Sequence, residues 1–241
     1  MSKPIKFKPN PTPLAPCHNT DNAFEIGIDE AGRGPLFGRV YVAAVVLPKG
    51  LNEFHHEWMR DSKQIKNRNT MKALADYIKT NALCWSVQYA EADDIDQHNI
   101  LNCVIQKMHE CIKSITSNSK FNVSDGFVLV DGNYFKPYIY YNELHEEIKS
   151  IRHETFEKGD GTYSSIAAAS ILAKNERDTW IEELCNDHPY LKRFYSLDKN
   201  MGYGTKAHMD GIEEHGITEW HRKTFAPCRN KQVVKEINLC I

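Results

Sequence analysis

The sequence predicts an α/β fold in which helices flank a central mixed sheet of five strands. Two apolar strand patterns, at 24–28 and 40–47, follow each other early in the chain. A third apolar run, at 126–130, has no polar interruption, which is typical of a strand buried on both faces. Long segments with helical spacing separate the later strands, and this alternation favours a layered α/β architecture.

Two acidic residues follow the first strand pattern directly. Apolar residues alternate over 24–28, and Asp29 and Glu30 come next. A turn, Gly32-Arg33-Gly34, then leads into the second strand, so the stretch predicts a hairpin that carries both acids to a sheet edge. Neighbouring side chains on a regular strand point to opposite faces, so we expect the strand to end or bulge at the acids. Taken alone, such a pair is more often a solvated turn.

Patterns along the rest of the chain predict the remaining elements. These are a helix at 67–80, a strand at 82–89, a helix at 95–115, a strand at 126–132, a weaker strand at 147–153, a helix at 164–185 and a short helical region with a basic tail from 202. Residues 1–22 contain five prolines and no apolar period, so they predict an irregular arm. The strand at 126–132 ends on Asp131, and function tends to gather at such strand ends.

The amino-acid composition limits the classes of function that the chain can have. The 241 residues are 41% hydrophobic with a formal net charge of −2, so contact with nucleic acid would need local clusters of basic residues. The seven cysteines are scattered without a Cys-x-x-Cys pair, which indicates neither a disulfide framework nor a zinc ribbon and fits a reducing cytoplasm. No apolar run reaches the length of a membrane span, and no signal-peptide core is expected.

Other motifs of known chemistry are weak or absent in the sequence. The eleven histidines include no His-Glu-x-x-His, and no Gly-x-Ser-x-Gly provides a serine nucleophile. The spacing of Gly32, Gly34 and Gly38 is similar to a dinucleotide-binding turn, but a β-branched strand follows it where a helix is required.

A series of blocks resembles the type 2 ribonucleases H, and most closely the bacterial ribonuclease HII family. In family order the blocks are Ile28–Leu36, Asp61-Ser62-Lys63, Val130-Asp131-Gly132, Lys158-Gly159-Asp160, Ala167–Lys174 with Arg177-Asp178, and Gly202–Thr205 with Lys206 and His208. The resemblance covers roughly residues 24–227, and its ordered blocks are far more specific than any single motif. Arg39 and Met201 depart from the usual family residues, proline and lysine respectively.

The resemblance implies the ribonuclease H fold with a small C-terminal helical subdomain. We therefore divide the chain into an irregular arm at 1–22, a catalytic domain at 23–186, and a helical subdomain with its tail at 187–241. The resemblance also implies that four acids are both the catalytic and the metal-binding residues: Asp29, Glu30, Asp131 and Asp160. Carboxylate oxygens suit Mg²⁺ or Mn²⁺, and two such ions are expected in the site. Repulsion among the acids should raise some of their pKa values.

The implied activity is metal-dependent hydrolysis of the RNA of RNA/DNA hybrids and incision on the 5′ side of single ribonucleotides in duplex DNA. Such an enzyme serves ribonucleotide removal and primer RNA removal, and leaves 3′-OH and 5′-phosphate ends. Its partners would be these nucleic acids. We expect a monomer and no membrane contact, and leave a replication clamp open, since residues 231–241 contain no clear clamp-binding peptide.

The substrate contacts implied by the resemblance are Gly32, Arg33, Gly34, Lys63, Lys158, Lys174 and Tyr203. Tyr203 would stack against a sugar beside the cut. Six basic residues of the C-terminal region are further candidates for contact with a duplex backbone: Lys192, Arg193, Lys199, Lys206, Arg222 and Lys223. His208 and His221 are candidates for contact with phosphate. For any single surface lysine, a solvating role is the commoner one.

Two other functions remain open. A non-catalytic nucleic-acid-binding module can share this fold, because fold does not fix function, although the presence of all four acids argues against it. The sister type, ribonuclease HIII, is the closer alternative. The Gly-Arg-Gly turn and the expected absence of an additional amino-terminal domain favour the HII type.

Overall fold

The computed structural model describes residues 7–143 and 145–234 and confirms the predicted mixed five-stranded sheet. The sheet has the order β3-β2-β1-β4-β7, which places the first strand at its centre. The β4 strand pairs in parallel with both β1 and β7. The strands of this sheet are β1 (Phe24–Ala31), β2 (Val40–Val46), β3 (Cys84–Ala90), β4 (Gly126–Asp131) and β7 (Arg152–Phe156).

Seven α-helices lie in the described part of the chain. They are α1 (Arg68–Asn81), α2 (Ala92–His98), α3 (Ile100–Thr116), α4 (Ser164–Asp187), α5 (Tyr190–Tyr195), α6 (Leu197–Asn200) and α7 (Lys206–His215). None of those helices is long and apolar enough to cross a membrane.

Two predicted elements are wrong in detail. The helix predicted at 95–115 is two helices, because Asn99 adopts a left-handed φ of 61° that ends α2. The strand predicted at 147–153 is also two. Its first part, β6 (Glu147–Ser150), pairs antiparallel with β5 (Ile139–Asn142) in a separate hairpin. Its second part begins β7, and buried Ile151 separates the two strands.

The first strand continues through both acids, so of the two predicted alternatives, an end or a bulge at the acids, the end is wrong. Regular strand structure extends to Ala31. Gly27, near the middle of this strand, lies directly against the start of α4. A Cβ atom on Gly27 would lie 2.3 Å from the main-chain carbon of Ser165 and 2.5 Å from the nitrogen of Ile166. Glycine at 27 is therefore what lets helix and strand approach this closely.

The chain divides into two compact units. The first comprises residues 1–30, 42–88 and 105–175 and holds most of the sheet; the second comprises 31–41, 89–104 and 176–241. The core of the second unit includes Phe37, Tyr195 and Ile212. The boundaries predicted at 22 and 186 stay a prediction. Residues 7–22 form no helix or long strand, and Ala15 makes a single bridge to Tyr163. Residues 1–6, 144 and 235–241 lie outside the described chain, and they include most of the tail considered for clamp binding.

Candidate active site

The parallel pairing of β1 with β4 brings two of the predicted acids to the same edge of the sheet. Ile28 is paired with Val130, so the following residues, Asp29 and Asp131, occupy neighbouring positions at the carboxyl ends of these strands. Asp29 is buried, with 5% of its surface exposed.

Asp160 arrives from the segment that follows β7. Lys158 adopts a left-handed φ of 59°, which turns the chain into a short 3₁₀ turn at Gly159–Gly161. The main-chain N–H of Gly159 donates a hydrogen bond of 2.7 Å to Oδ1 of Asp131. That bond ties the turn to the end of β4 and holds Asp160, 5% exposed, near Asp131.

Burial and neighbouring acids raise the pKa values of Asp29 and Asp160. Burial raises the pKa of Asp29 well above its usual range, and the charges of Asp131 and Glu30 raise it further. Burial and then the charge of Asp131 raise the pKa of Asp160 to about 6. A cation at this position would stabilise all of the charged forms, so strongly perturbed carboxylates favour a functional site.

Lys63 partly offsets the negative charge. Its Nζ lies 3.8 Å from Oδ2 of Asp160, an oxygen that is buried and accepts no hydrogen bond from the described residues. The lysine side chain itself is 81% exposed, so a solvated duplex can reach it. Lys158 is exposed and Lys174 is half-buried on α4, and neither is among the groups that shift the pKa of Asp29 or Asp160.

The sequence analysis did not assign a site role to three neighbours of the acids. Asp61 is a further carboxylate near Asp160 and helps to raise its pKa. The Ser170 side chain forms a hydrogen bond with Asp29 that opposes the rise in its pKa. The Ser170 and Ser62 hydroxyls are 2.9 Å apart. All three lie in blocks that carry the family resemblance, which was the only signal that pointed to them.

The donor set fits a hard divalent cation, although it is not a preformed cage. In the described part of the chain, no group of three or more His, Cys, Asp or Glu side chains has the arrangement of a complete metal site. Mg²⁺ commonly binds through one or two carboxylates, with water and substrate phosphate oxygens completing its shell. The buried oxygen of Asp160 that lacks a hydrogen-bond donor is an available ligand of this kind.

The Gly-Arg-Gly turn and Tyr203 lie together in the second unit. Gly32 has a φ of +95°, and a Cβ atom there would lie 2.3 Å from Nε of Arg177, so only glycine fits. A Cβ atom on Gly34 would lie 3.8 Å from Cε1 of Tyr203, so the ring lies beside the turn. Arg33 and Gly34 are exposed, and Tyr203 is 50% exposed.

Two histidines support the main chain at Tyr203 instead of reaching for phosphate, so their predicted phosphate role is wrong. Both His208 and His221 are fully buried. Nδ1 of His221 accepts the N–H of Thr218, so its proton is on Nε2, 3.1 Å from Nε2 of His208. Nδ1 of His208 then donates to the carbonyl of Tyr203 at 3.0 Å. Burial lowers the pKa of both rings, that of His221 to about 3.

Several of the C-terminal cations already have partners within the protein, or are buried. Arg222 is fully buried, so its predicted role on a duplex backbone is wrong. Lys206 forms an ion pair of 2.6 Å with Asp210, and Lys223 forms one of 2.8 Å with Asp93. A charge count from the sequence cannot separate such paired or buried residues from free ones.

Parallel strands bring acids together at one end of a mixed sheet, and Gly-Arg-Gly follows the first two acids after one residue. This combination is typical of the nucleases of the ribonuclease H class. The family described as Ribonuclease HII matches this chain over residues 26–228. The chain belongs to the ribonuclease HII family. It is accordingly an endonuclease of the RNase H type, which acts on RNA/DNA substrates, and the family uses a divalent metal.

Individual relatives and solved structures agree with this family. The ribonuclease HII of Bacteroides thetaiotaomicron is 42% identical over 212 residues, or 88% of this chain and 94% of the relative. That of Nitrosomonas europaea is 37% identical over 222 residues, or 92% and 91%. Ribonuclease H2 from Pyrococcus horikoshii has a similar fold, with a TM-score of 0.63 at 20% identity over 86% of this chain and 95% of that one. The RNase HII in a PCNA complex from Archaeoglobus fulgidus has a TM-score of 0.59 at 23% identity over 90% and 98%.

Proposed function

We propose that this enzyme incises duplex DNA on the 5′ side of a single embedded ribonucleotide and also hydrolyses the RNA of RNA/DNA hybrids, leaving 3′-OH and 5′-phosphate ends. The observation that carries the proposal is the meeting of Asp29, Asp131 and Asp160 at the carboxyl ends of two parallel strands in a chain of this family. The activity would serve ribonucleotide and primer RNA removal in the cytoplasm, where free thiols such as the six cysteines in the described chain are ordinary.

The four acids are the proposed ligands of two Mg²⁺ or Mn²⁺ ions. Bound ions of this kind supply an activated water on one side of a phosphodiester and stabilise the leaving 3′ oxygen on the other. Burial and the charge of Asp131 disfavour the charged forms of Asp29 and Asp160, and a bound cation would offset both effects. Asp131 organises the site, since it also fixes the turn that carries Asp160 through the N–H of Gly159.

Ribonucleotide recognition is proposed to involve the Gly-Arg-Gly turn and Tyr203. The 2′-OH is the group that distinguishes RNA from DNA at a given sugar. Main-chain groups of Gly32, Arg33 and Gly34 can approach it closely because the glycines add no side chain. The exposed ring of Tyr203 would pack on the next sugar and favour deoxyribose there. Exposed Lys63 and Lys158, together with Lys174, are proposed contacts to phosphate.

A cleavage assay with mapped ends tests this function. The substrate is a duplex with one ribonucleotide in one strand, and the matched control is the all-DNA duplex of the same sequence. We expect one cut, 5′ of the ribonucleotide, in Mg²⁺ or Mn²⁺, no cut after addition of a chelator, and no cut in the control. Cleavage that persists in chelator, or products ending in a 2′,3′-cyclic phosphate, would mean that the 2′-OH is the nucleophile and that the proposal is wrong.

A further inference from the structure

Arg222 is a fully buried arginine that binds the main chain around the Gly-Arg-Gly turn. Its guanidinium donates four hydrogen bonds, each to a carbonyl oxygen. Nη2 binds Gly32 at 2.6 Å, Nη1 binds Arg33 at 3.1 Å and Pro35 at 2.8 Å, and Nε binds Gly38 at 2.9 Å. The chain thus wraps around one side chain that is distant in the sequence.

Burying the charged guanidinium of Arg222 costs free energy, which its surroundings must offset. Removal from water disfavours the charged guanidinium, and nearby Arg177 disfavours it further, so the pKa of Arg222 is lowered to about 9. The four carbonyl dipoles offset that cost. The planar fork of arginine can serve several carbonyls at once, which the compact ammonium of lysine cannot do.

The orientation of the carbonyls determines which groups the turn presents on its other side. In a trans peptide the C=O of one residue and the N–H of the next point in opposite directions. Because the carbonyls of Gly32 and Arg33 point inward to Arg222, the N–H groups of Arg33 and Gly34 point away from it. Both residues are exposed. Successive N–H groups of this kind form a small concave site for an oxygen that carries lone pairs.

A second arginine fixes the same turn relative to Tyr203. Arg177 is 2% exposed, its Nη2 donates to the carbonyl of Met201 at 2.7 Å, and its guanidinium lies 5.8 Å from the centre of the Tyr203 ring. The N–H of Leu36 also donates to the carbonyl of Gly202. The turn and the tyrosine are therefore held in one local framework.

We infer that Arg222 is a positioning residue for ribonucleotide selection, which turns the N–H groups of Arg33 and Gly34 toward the 2′-OH as hydrogen-bond donors. The inference rests on the proposed function. It assigns the 2′ oxygen the role of acceptor at this turn, and it assigns the adjacent carbonyls to the protein interior.

The test compares Arg222→Lys with Arg229→Lys, an exposed arginine of the same segment that serves as the matched control. Affinity is measured by fluorescence anisotropy in chelator for the duplex with one ribonucleotide and for the all-DNA duplex. We expect Arg222→Lys to lower the preference for the ribonucleotide duplex about tenfold, the size expected for losing one or two good hydrogen bonds. Its affinity for the all-DNA duplex should stay the same. General loosening would weaken both duplexes equally, so the ratio distinguishes positioning from a structural role.

The outcomes separate this inference from the proposed function. If the wild-type protein cleaves and prefers the ribonucleotide duplex, and Arg222→Lys keeps that preference, only the inference is overturned. If the wild-type protein neither cleaves nor prefers that duplex, the proposed function fails and the inference fails with it.

A measurement on the wild-type protein covers the case in which Arg222→Lys does not fold. Amide hydrogen exchange of Arg33 and Gly34 should slow more on binding the ribonucleotide duplex than on binding the all-DNA duplex. Equal protection by the two duplexes would overturn the inference.

Discussion

Replacing Asp131 with asparagine should have opposite effects on stability and on activity. The Gly159 N–H bond to Oδ1 can be kept by the amide oxygen, so the turn that carries Asp160 should survive. The negative charge that raises the pKa values of Asp29 and Asp160 is lost. We therefore expect a folded protein in which cleavage falls at least about a hundredfold, the order seen when a charge-stabilising active-site group is removed.

The raised pKa of Asp160 gives the magnitude of the expected gain in stability. A pKa raised from 3.8 to about 6 corresponds to about 3 kcal/mol against the charged form at pH 8. Burial is the largest cause and the charge of Asp131 is the second, so removing that charge should recover part of this cost, on the order of 1 kcal/mol. For a chain of this size that is a rise of about 2–4 °C in the melting temperature of the metal-free protein.

The pH dependence follows from the direction of the shift. A carboxyl whose pKa is raised in the folded state stabilises the fold fully below its unfolded value, and that contribution is lost as the pH rises through the folded value. The metal-free wild-type protein should therefore lose stability as the pH rises through about 6. The stability that Asp131→Asn gains over the wild-type protein should be largest at pH 8 and should shrink as the pH falls through about 6.

Thermal unfolding in chelator and in saturating Mg²⁺ checks this reasoning, with Asp125→Asn, an exposed acid next to the other end of β4, as the matched control. Binding at 100 times the Kd stabilises a protein by about 2.7 kcal/mol, so Mg²⁺ should make the wild-type protein the more stable of the two. If Asp131→Asn is less stable in chelator and responds to Mg²⁺ as the wild-type protein does, the carboxylates neither repel each other nor bind the ion as argued.

Three further predictions address the fold and the substrate contacts. Gly27→Ala should destabilise the fold by about 2 kcal/mol or more, because its Cβ atom meets main-chain atoms of α4. The control Gly161→Ala, whose Cβ atom has nothing within 4 Å, should change the free energy of unfolding little. Equal effects of the two substitutions in urea titration would refute the close packing. Tyr203→Ala should reduce cleavage at a single ribonucleotide more than cleavage of a long RNA/DNA hybrid, and an equal loss of kcat/KM on both would leave Tyr203 as a general binding residue. The ring signals of His221 should not titrate in NMR spectra between pH 8 and 5, since burial lowers its pKa to about 3, and those of His208 should titrate below the usual 6.5. A midpoint at or above 6.5 for either ring would contradict their hydrogen-bond chain.

Local patterns predicted the parts of the fold that have strong periodicity. The buried strand that ends at Asp131 and the helix α1 are within a residue or two of their predicted bounds. The breaks were missed because each depends on one residue. Apolar spacing continues across Asn99 although its left-handed backbone ends the helix, and Ile151 looks like part of one strand although it separates two.

The sequence predicted those parts of the site that lie at the ends of strands. Asp29 and Asp131 lie near the carboxyl ends of buried strands, and parallel pairing then brings them together. The position of Asp160 depends on a hydrogen bond between a distant main-chain N–H and Asp131, which no local pattern reveals. Arg222 was misread for the same reason, because its sequence neighbours suggest a basic surface whereas its partners lie almost 190 residues earlier.

Diffraction from crystals soaked in Mn²⁺ with an RNA/DNA duplex bound tests the central claim most directly. The anomalous difference map reports the positions of manganese independently of any assumption about the site. We predict peaks in contact with the carboxylates of Asp29 and Asp131, beside a phosphate of the RNA strand. Peaks confined to other residues, with those two carboxylates free of metal in a cleavage-competent complex, would contradict the account.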